Sequence, residues 1–479
     1  MSMNLQSRNP ANGEVVWDGP ISTPTEVDQA ISNAHAYLPQ WRSVELAERI
    51  KIVRSYAAHL TEHRTEVADL IRAEVGKLPW DAAGEVGASI AKAELSIKAL
   101  QERRSLQVVE DDQAVLQRVT RYAPVGVALV LGPFNFPLHL PGGQIIPALL
   151  SGNTIVFKPS DQATAVGQWM MNAWRSVGLP DGAMQCVVGG VETATKAIDS
   201  SLINAVYLTG SLQAGRAIHR QLAGRPEVLL ALELGGNNPV VVCEDAEPKK
   251  AASLVAFSAF ISAGQRCTCA RRALFVQGHQ TEQQIDALIA STKQLRIGLA
   301  SDQPVSQVGP LISADAANRL EQTYQRLLEL GCQPIIPWRI DDRCRALVAP
   351  AIVNADGISD EARQALGEME WFGPLLVIET VSTLEKAIQF AANTTYGLAA
   401  SMLGGSLNDF EKFVEQVGAG VVNWNGPTTG AAGSLPFGGL GSSGNHRPAG
   451  FHAIDFCNDP VASLQRTEMP DLDPWSIAK

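Results

Sequence analysis

The sequence predicts an α/β protein, and three observations predict it. Short apolar runs rich in β-branched residues recur at 125–131, 154–157, 205–208, 228–232 and 239–242. Helix-compatible segments, 138–150, 162–177 and 212–223, separate most of them. A second alternation of the same kind follows Lys249. Strands that are apolar at nearly every position are buried on both faces, as in a parallel sheet covered by crossover helices.

Thr23-Pro24-Thr25-Glu26 has the pattern of a capping box with proline at the first helical position. Val27, Ala30, Ile31, Ala34 and Leu38 then recur at helical spacing, and Leu46, Ile50, Val53, Ala57 and Leu60 mark a second amphipathic helix. From Arg118 the period changes to that of the strands. After Lys249, a helix over 249–262 carries Leu254, Val255, Phe257, Phe260 and Ile261 and runs into Gly264, followed by a β-like stretch over 270–277. Helices over 280–295, 313–330, 384–392 and 407–417 interleave with short strands, giving a second α/β unit. Residues 106–119 alternate weakly and read as a hairpin, and the tail from Pro460 holds one short strand-like run. Neither buries much alone, so both are candidates for packing against a neighbouring subunit.

Composition narrows the function. At 479 residues the chain exceeds what one small domain needs, and 46% hydrophobic with 18% charged residues excludes general disorder. A net charge of −11 without a long Lys/Arg run argues against nucleic acid or an acidic membrane as partner. The N-terminal segment is polar where a signal peptide would be apolar, and no apolar stretch reaches the roughly 18 residues of a membrane span. Seven scattered cysteines suit a reducing, cytoplasmic setting. Cys267 and Cys269 form the only close pair. They lack CxxC spacing and a nearby histidine cluster, so no metal site is expected.

Five segments carry candidate chemistry. Cys267, in Gly264-Gln265-Arg266-Cys267-Thr268, follows a helix and a helix-breaking glycine and is a candidate nucleophile. It would need a local positive field or nearby donors to become thiolate, and Arg266 is adjacent. Glu233, in Leu232-Glu233-Leu234-Gly235-Gly236-Asn237-Asn238, ends an apolar strand where open α/β sheets place active sites, and could act as general base on water. Asn135, between Phe134 and Phe136 and flanked by prolines, is a candidate oxyanion donor. Lys158, Ser160 and Asp161 close the strand 154–157 with charge suited to ribose hydroxyls. Gly210, Ser211, Leu212, Gln213, Ala214 and Gly215 form a strand–turn–helix junction that would offer backbone N–H groups to a phosphate, although it is not the GxGxxG fingerprint. Each has a plain structural reading: an inert buried thiol, an ion-paired strand-end acid, a turn asparagine, surface charge, a chance glycine spacing.

Together and in this order, the five resemble the aldehyde dehydrogenase superfamily over nearly the whole chain. Glu370-Trp371-Phe372-Gly373-Pro374, Asn393-Thr394-Thr395-Tyr396-Gly397-Leu398 and Pro436-Phe437-Gly438-Gly439 extend the match. The resemblance implies a Rossmann-type NAD-binding domain from residues 1–105 and 124–234. It implies a catalytic domain over 235–427, with 428–459 returning toward the first, and an oligomerisation element from 106–123 and 460–479. It implies Cys267 as nucleophile and Glu233 as the base for the deacylating water, with Asn135 and the Cys267 backbone N–H stabilising the oxyanion. Lys158, Ser160 and Asp161 would face the adenosine ribose, 210–215 the pyrophosphate, and Glu370 and Phe372 the nicotinamide ribose and ring. The acid at 161 favours NAD over NADP, and the assembly would be a homodimer or homotetramer.

Within the superfamily, GQRCTCARR, LELGGNNP and VVNWNGPTTGAAGSLPFGGLGSSGNHRP are most similar to the branch that oxidises the succinylated semialdehyde of glutamate in bacterial arginine catabolism. A substrate aldehyde bearing carboxylates fits two physical features. Arg266, His446 and Arg447 supply positive charge to an acidic chain, and the loop containing Thr429, Gly430 and Ala431 can aim N–H groups at a carboxylate. For Arg266 and Arg447 structural ion pairing is the competing reading. The rival activities are other semialdehyde dehydrogenases, including coenzyme A-acylating ones, which generally lack the acid at Glu233, and a cysteine hydrolase, which would leave the cofactor motifs unexplained. One departure stands out: relatives usually have a strand pair before the segment matching Asn9-Pro10-Ala11-Asn12-Gly13, and this chain is expected to lack that edge feature.

Overall fold

The computed structural model describes residues 4–110 and 116–469. Its first sheet has five parallel strands in the order Met184–Cys186, Thr154–Lys158, Val127–Leu131, Ala205–Thr209, Leu229–Glu233. Side chains along these strands alternate between two cores. Ala128, Val130, Ile155, Phe157 and Tyr207 face one, and Val127, Leu129, Val156, Val206 and Leu208 the other. Burial on both faces is why the runs read as continuously apolar. Strand order reverses at Val127–Leu131: the chain steps to one side of it through Thr154–Lys158 and Met184–Cys186, then to the other through Ala205–Thr209 and Leu229–Glu233. Such a switch point opens a crevice at the carboxyl edge of a parallel sheet.

The second sheet has seven strands, Gln333–Ile336, Ala351–Asn354, Leu375–Val381, Ala270–Val276, Asn238–Val242, Ala399–Leu403 and Val421–Trp424, parallel except for the first pair. The two sheets are joined where Glu233, the last residue of the first sheet, runs through Leu234, Gly235, Gly236 and Asn237 into Asn238, the first strand residue of the second. The connector therefore brings the carboxyl edge of one sheet to the amino edge of the other.

Most expected helices form within a few residues of their expected ends. The capping box closes Pro24–Ser43, with the Glu26 N–H donating to Thr23 Oγ1 at 3.3 Å and the Thr23 N–H to Glu26 Oε2 at 2.7 Å. Two helices of the first third were not anticipated, Arg64–Val75 and Pro79–Arg103. The second hides its periodicity because its buried face includes Asp81, Glu85, Ser89, Lys92 and Ser96 among the apolar residues.

The expected hairpin is present as Gln107–Glu110 against Gln117–Pro124, and the tail adds Asn458–Gln465 as a third antiparallel strand. Val108, Val109, Val461 and Leu464 on it are exposed. Residues 111–115 and, from the expected tail, 470–479 lie outside the described residues. The N-terminal edge is nonetheless not bare, with one strand before the Asn9-Pro10 segment and one after it. Asn4–Arg8 and Val15–Pro20 pair as an antiparallel hairpin around the Asn9-Pro10 turn, which closes through Asn9 Oδ1 accepting the Ala11 N–H at 2.9 Å and Asn9 O accepting the Gly13 N–H at 2.8 Å. Among the described residues no helix is long and apolar enough to cross a membrane.

Candidate active site

The crevice between the sheets is one cavity of about 1330 Å³, and Cys267, Glu233 and Asn135 all line it. Cys267 sits on the loop between helix Pro248–Phe260 and strand Ala270–Val276. The approach is tightly wound: Ser262 and Ala263 take positive φ (54° each) and Gly264 follows at 70°. Non-glycine residues in that region cost of order 1 kcal/mol each and persist only where neighbours hold them. Here the Arg266 Nε donates to Ser262 Oγ at 2.8 Å, and the Gln265 N–H donates to Ser262 O at 3.0 Å. At Gly264 a Cβ would strike the Gly373 and Pro374 backbone. Gly264→Ala is therefore expected to destabilise by roughly 1–3 kcal/mol, read as a lower midpoint of denaturant unfolding. An unchanged midpoint would mean that the loop is free to rearrange.

Two buried side chains hold the loop from behind. Asn238 Nδ2 donates to the carbonyls of Cys267 and Cys269 at 2.7 and 2.8 Å, while its Oδ1 accepts the Ala399 N–H at 3.0 Å. Arg271 is fully buried and donates to Gly264 O and Arg266 O, each at 3.0 Å. The Cys267 thiol is partly accessible. Burial, with Glu233 adding repulsion and Arg271 opposing, pushes it up to about 12. The resting residue is a thiol.

Glu233 is buried at the strand end. Its Oε1 accepts the Ala449 N–H at 3.3 Å, and its Oε2 has no partner within the protein. Burial raises its pKa well above the usual carboxylate range, with Lys92 opposing. Glu233 lines the cavity, and an uncommitted carboxyl oxygen is what a base for water requires. The following glycine is dictated by packing: a Cβ on Gly235 would collide with the Glu370 carboxyl, whose Oε1 accepts the Gly236 N–H at 3.1 Å. Glu370 and Phe372 line the cavity, Phe372 edge-on to Phe134 at 6.0 Å.

Asn135 is held by one Nδ2–H donated to Gln265 O at 3.0 Å, two residues before the cysteine. Its amide group carries a second N–H. On the other side of the cavity lie Ser160, Asp161, Gly210, Ser211 and Ala214. Ser211 caps helix Leu212–Gln221 by accepting the Ala214 N–H at 3.2 Å. Helix geometry leaves the first-turn N–H groups of Leu212 and Gln213 without intrahelical acceptors, so this end favours an anion.

Not every expected residue reaches the wall. Lys158 lies behind it, its Nζ donating to Pro159 O and Gly189 O at 3.0 and 2.7 Å. Leu212, Gln213, Gly215 and Gly430 are adjacent to lining residues without lining it themselves, whereas Thr429 and Ala431 do line it. Arg447 is exposed and outside the cavity wall. Arg266 lines the cavity but is paired with Asp81 at 2.9 Å. Its ion-pairing reading is the one the structure bears out.

Sequence reasoning missed Asn238, Arg271 and Lys92. The first two were visible as the polar residues nearest the motifs, Asn238 in LELGGNN and Arg271 in CTCARR. Among the described residues one set of possible metal ligands comes together, His59, Glu62 and His63 on helix Leu46–Glu62 and its cap, with ligand atoms within 4.8 Å. None of the three lines the cavity.

The model for the aldehyde dehydrogenase family matches residues 2–460. The chain belongs to that family. It is 41% identical over 460 residues to N-succinylglutamate 5-semialdehyde dehydrogenase of Escherichia coli, covering 96% of this chain and 92% of that one. The same identity and coverage relate it to the enzyme of that name from Shigella flexneri. Among solved structures, glyceraldehyde-3-phosphate dehydrogenase from Methanocaldococcus jannaschii, complexed with NADP, superposes with TM-score 0.89 at 28% identity, covering 97% of this chain and 99% of that one. Lactaldehyde dehydrogenase from Escherichia coli gives 0.90 at 26% identity, covering 97% and 96%. As an aldehyde dehydrogenase, the chain is an NAD(P)-dependent enzyme that oxidises a small aldehyde.

Proposed function

We propose that this aldehyde dehydrogenase converts N-succinyl-L-glutamate 5-semialdehyde to N-succinyl-L-glutamate with NAD, in cytoplasmic arginine catabolism by succinylation. The observation that carries the chemistry is that Cys267, Glu233 and the Gly210–Ser211 turn open on one cavity. The relatives of that name support the substrate.

In this reading the Cys267 thiol gives up its proton to solvent as Sγ adds to the aldehyde carbon. The oxygen, as it gains charge, is met by the free Asn135 Nδ2–H and the Cys267 backbone N–H. NAD, when bound, supplies the acceptor for the hydride leaving that carbon. Glu233 then takes a proton from water, the resulting hydroxyl attacks the thioester carbon, and the C–S bond breaks to release acid and thiol. The residues present fit the cofactor: the anion-favouring helix start at Ser211 for the pyrophosphate, Ser160 and Asp161 for the ribose, with Lys158 behind them, and Glu370 and Phe372 beside the thiol for the nicotinamide riboside. A carboxylate at 161 repels a 2′-phosphate, which favours NAD over NADP. The unit holding the first sheet, 1–105 with 124–234, would bind the cofactor. Residues 235–427 would form the catalytic unit, and 106–123 with 460–479 would join subunits into a dimer or tetramer.

NADH formation from NAD and succinylglutamate semialdehyde, with and without coenzyme A, tests the proposal. Turnover without coenzyme A is expected, and a rate that depends on it would assign an acylating enzyme instead. Asn135→Ala should lower kcat by about 10²–10³-fold. A loss confined to KM would remove the oxyanion role.

A further inference from the structure

The proposed substrate carries carboxylates, and neither cation expected to receive them brings an unbalanced charge to the cavity. Arg447 is outside the cavity wall, and the charge of Arg266 is balanced by Asp81. Other buried cations near the site are likewise occupied. Lys77 pairs with Glu85 at 2.6 Å, and Arg271 is bonded to loop carbonyls. Arg319 and Arg326 also line the cavity, but on its outer helix, where Arg326 pairs with Glu329 and Arg319 is exposed.

Lys92 differs from all of these. It lies on the cavity-facing side of helix Pro79–Arg103 with Ala88, Ala91 and Leu95, and is only 5% exposed. Its Nζ makes one hydrogen bond, to Gly450 O at 3.0 Å, and among the described residues no carboxylate stands within ion-pair distance. Two of its three N–H donors are uncommitted. A buried ammonium without a partner carboxylate is costly, and the cost is recovered when an anion arrives. Thr429 lines the same cavity with its Oγ1 unpartnered, and a Cβ added at Gly433 would come within 2.7 Å of Leu95. Burial first, with Lys92, Lys77 and Arg266 adding to it, pushes the neighbouring His139 down to about 3.

We propose that Lys92 is the residue that selects anionic aldehydes, its ammonium receiving the α-carboxylate of the substrate while the aldehyde carbon reaches Cys267. This rests on the chain acting on a glutamate-derived semialdehyde. Lys92 touches no reacting atom and is a specificity residue.

Two aldehydes isolate the interaction. In 5-oxopentanoate the carboxylate and aldehyde have the separation they have in the glutamate skeleton, and pentanal keeps the five carbons without the charge. Wild-type holoenzyme, Lys92→Met and Lys92→Gln are compared by kcat/KM with NAD on both aldehydes and on succinylglutamate semialdehyde. Glutamine can still donate to Gly450 O, so it removes the charge while keeping the structural bond. The ratio of 5-oxopentanoate to pentanal is expected to fall by about 10- to 100-fold in both variants, chiefly through KM. Equal loss on both aldehydes, in either variant that folds, would assign Lys92 to Glu233 or to packing and overturn the proposal, as would an unchanged ratio. The two readings fail separately. A wild-type enzyme that prefers 5-oxopentanoate to the succinylated aldehyde removes the proposed substrate, while the charged-to-neutral ratio still decides Lys92.

Discussion

Cys267→Ala is expected to lower NADH formation by at least about 10⁴-fold, the largest single effect in this site. No other thiol can take its place. Cys269 is fully buried with its Sγ directed at Ile261 O, 3.6 Å away, and the remaining five cysteines are absent from the cavity wall. Alanine keeps the backbone N–H and the carbonyl that Asn238 holds, so the loop and the cofactor face should survive. The variant should bind NAD with near wild-type affinity, as read by protein fluorescence, which separates loss of chemistry from loss of fold. The high thiol pKa adds a second readout. With the group pushed to about 12, the thiolate is scarce below that pH, so alkylation by iodoacetamide should be slow at neutral pH and accelerate as pH rises. Retention of even a tenth of the wild-type rate in Cys267→Ala would remove the covalent mechanism.

The parts of this site legible in the sequence are those where one local rule needs one residue. Glu233 was visible because an acid ends an apolar strand where open α/β sheets place active sites, with an ion pair as the competing reading. Cys267 was visible because it follows a helix stop at Gly264, and Ser211 because it caps a helix after a strand. The two-faced apolar strands gave away the first sheet for the same reason. What escaped depends on distant pairings. Arg266 could not be read as spent, because Asp81 comes from a helix far upstream whose core face is itself polar. Lys92 hid on the same helix. There, buried serines, acids and a lysine interrupt the apolar stripe that would reveal a helix, so both the element and its cation were missed. Arg447 was over-read for the converse reason. Charge next to a glycine-rich motif says nothing about which way the chain turns, and His446 beside it takes φ 64° in a loop that carries both side chains into solvent.

Glu233→Gln should divide the reaction at its midpoint. The amide matches the carboxyl in shape and can still accept the Ala449 N–H through its carbonyl oxygen, so the cavity should keep its form. Cys267 can still add to the aldehyde, and the first oxidation should proceed to nearly one NADH per active site. Hydrolysis then lacks a proton acceptor, and steady-state turnover is expected to fall by about 10²–10³-fold. Rapid mixing would show the burst, and acid quenching would find the acyl group on Cys267. The pH dependence follows from the burial of Glu233, which raises its pKa well above 4.5. The working form is the carboxylate, which exists only above that raised value. Wild-type hydrolysis should therefore increase with pH through a limb set higher than an ordinary carboxyl gives, and the limb should vanish in Glu233→Gln. Single-phase NADH formation at the wild-type rate in the variant would show that water is activated by another group. The unpartnered Oε2 at the end of the first sheet would then need a different explanation.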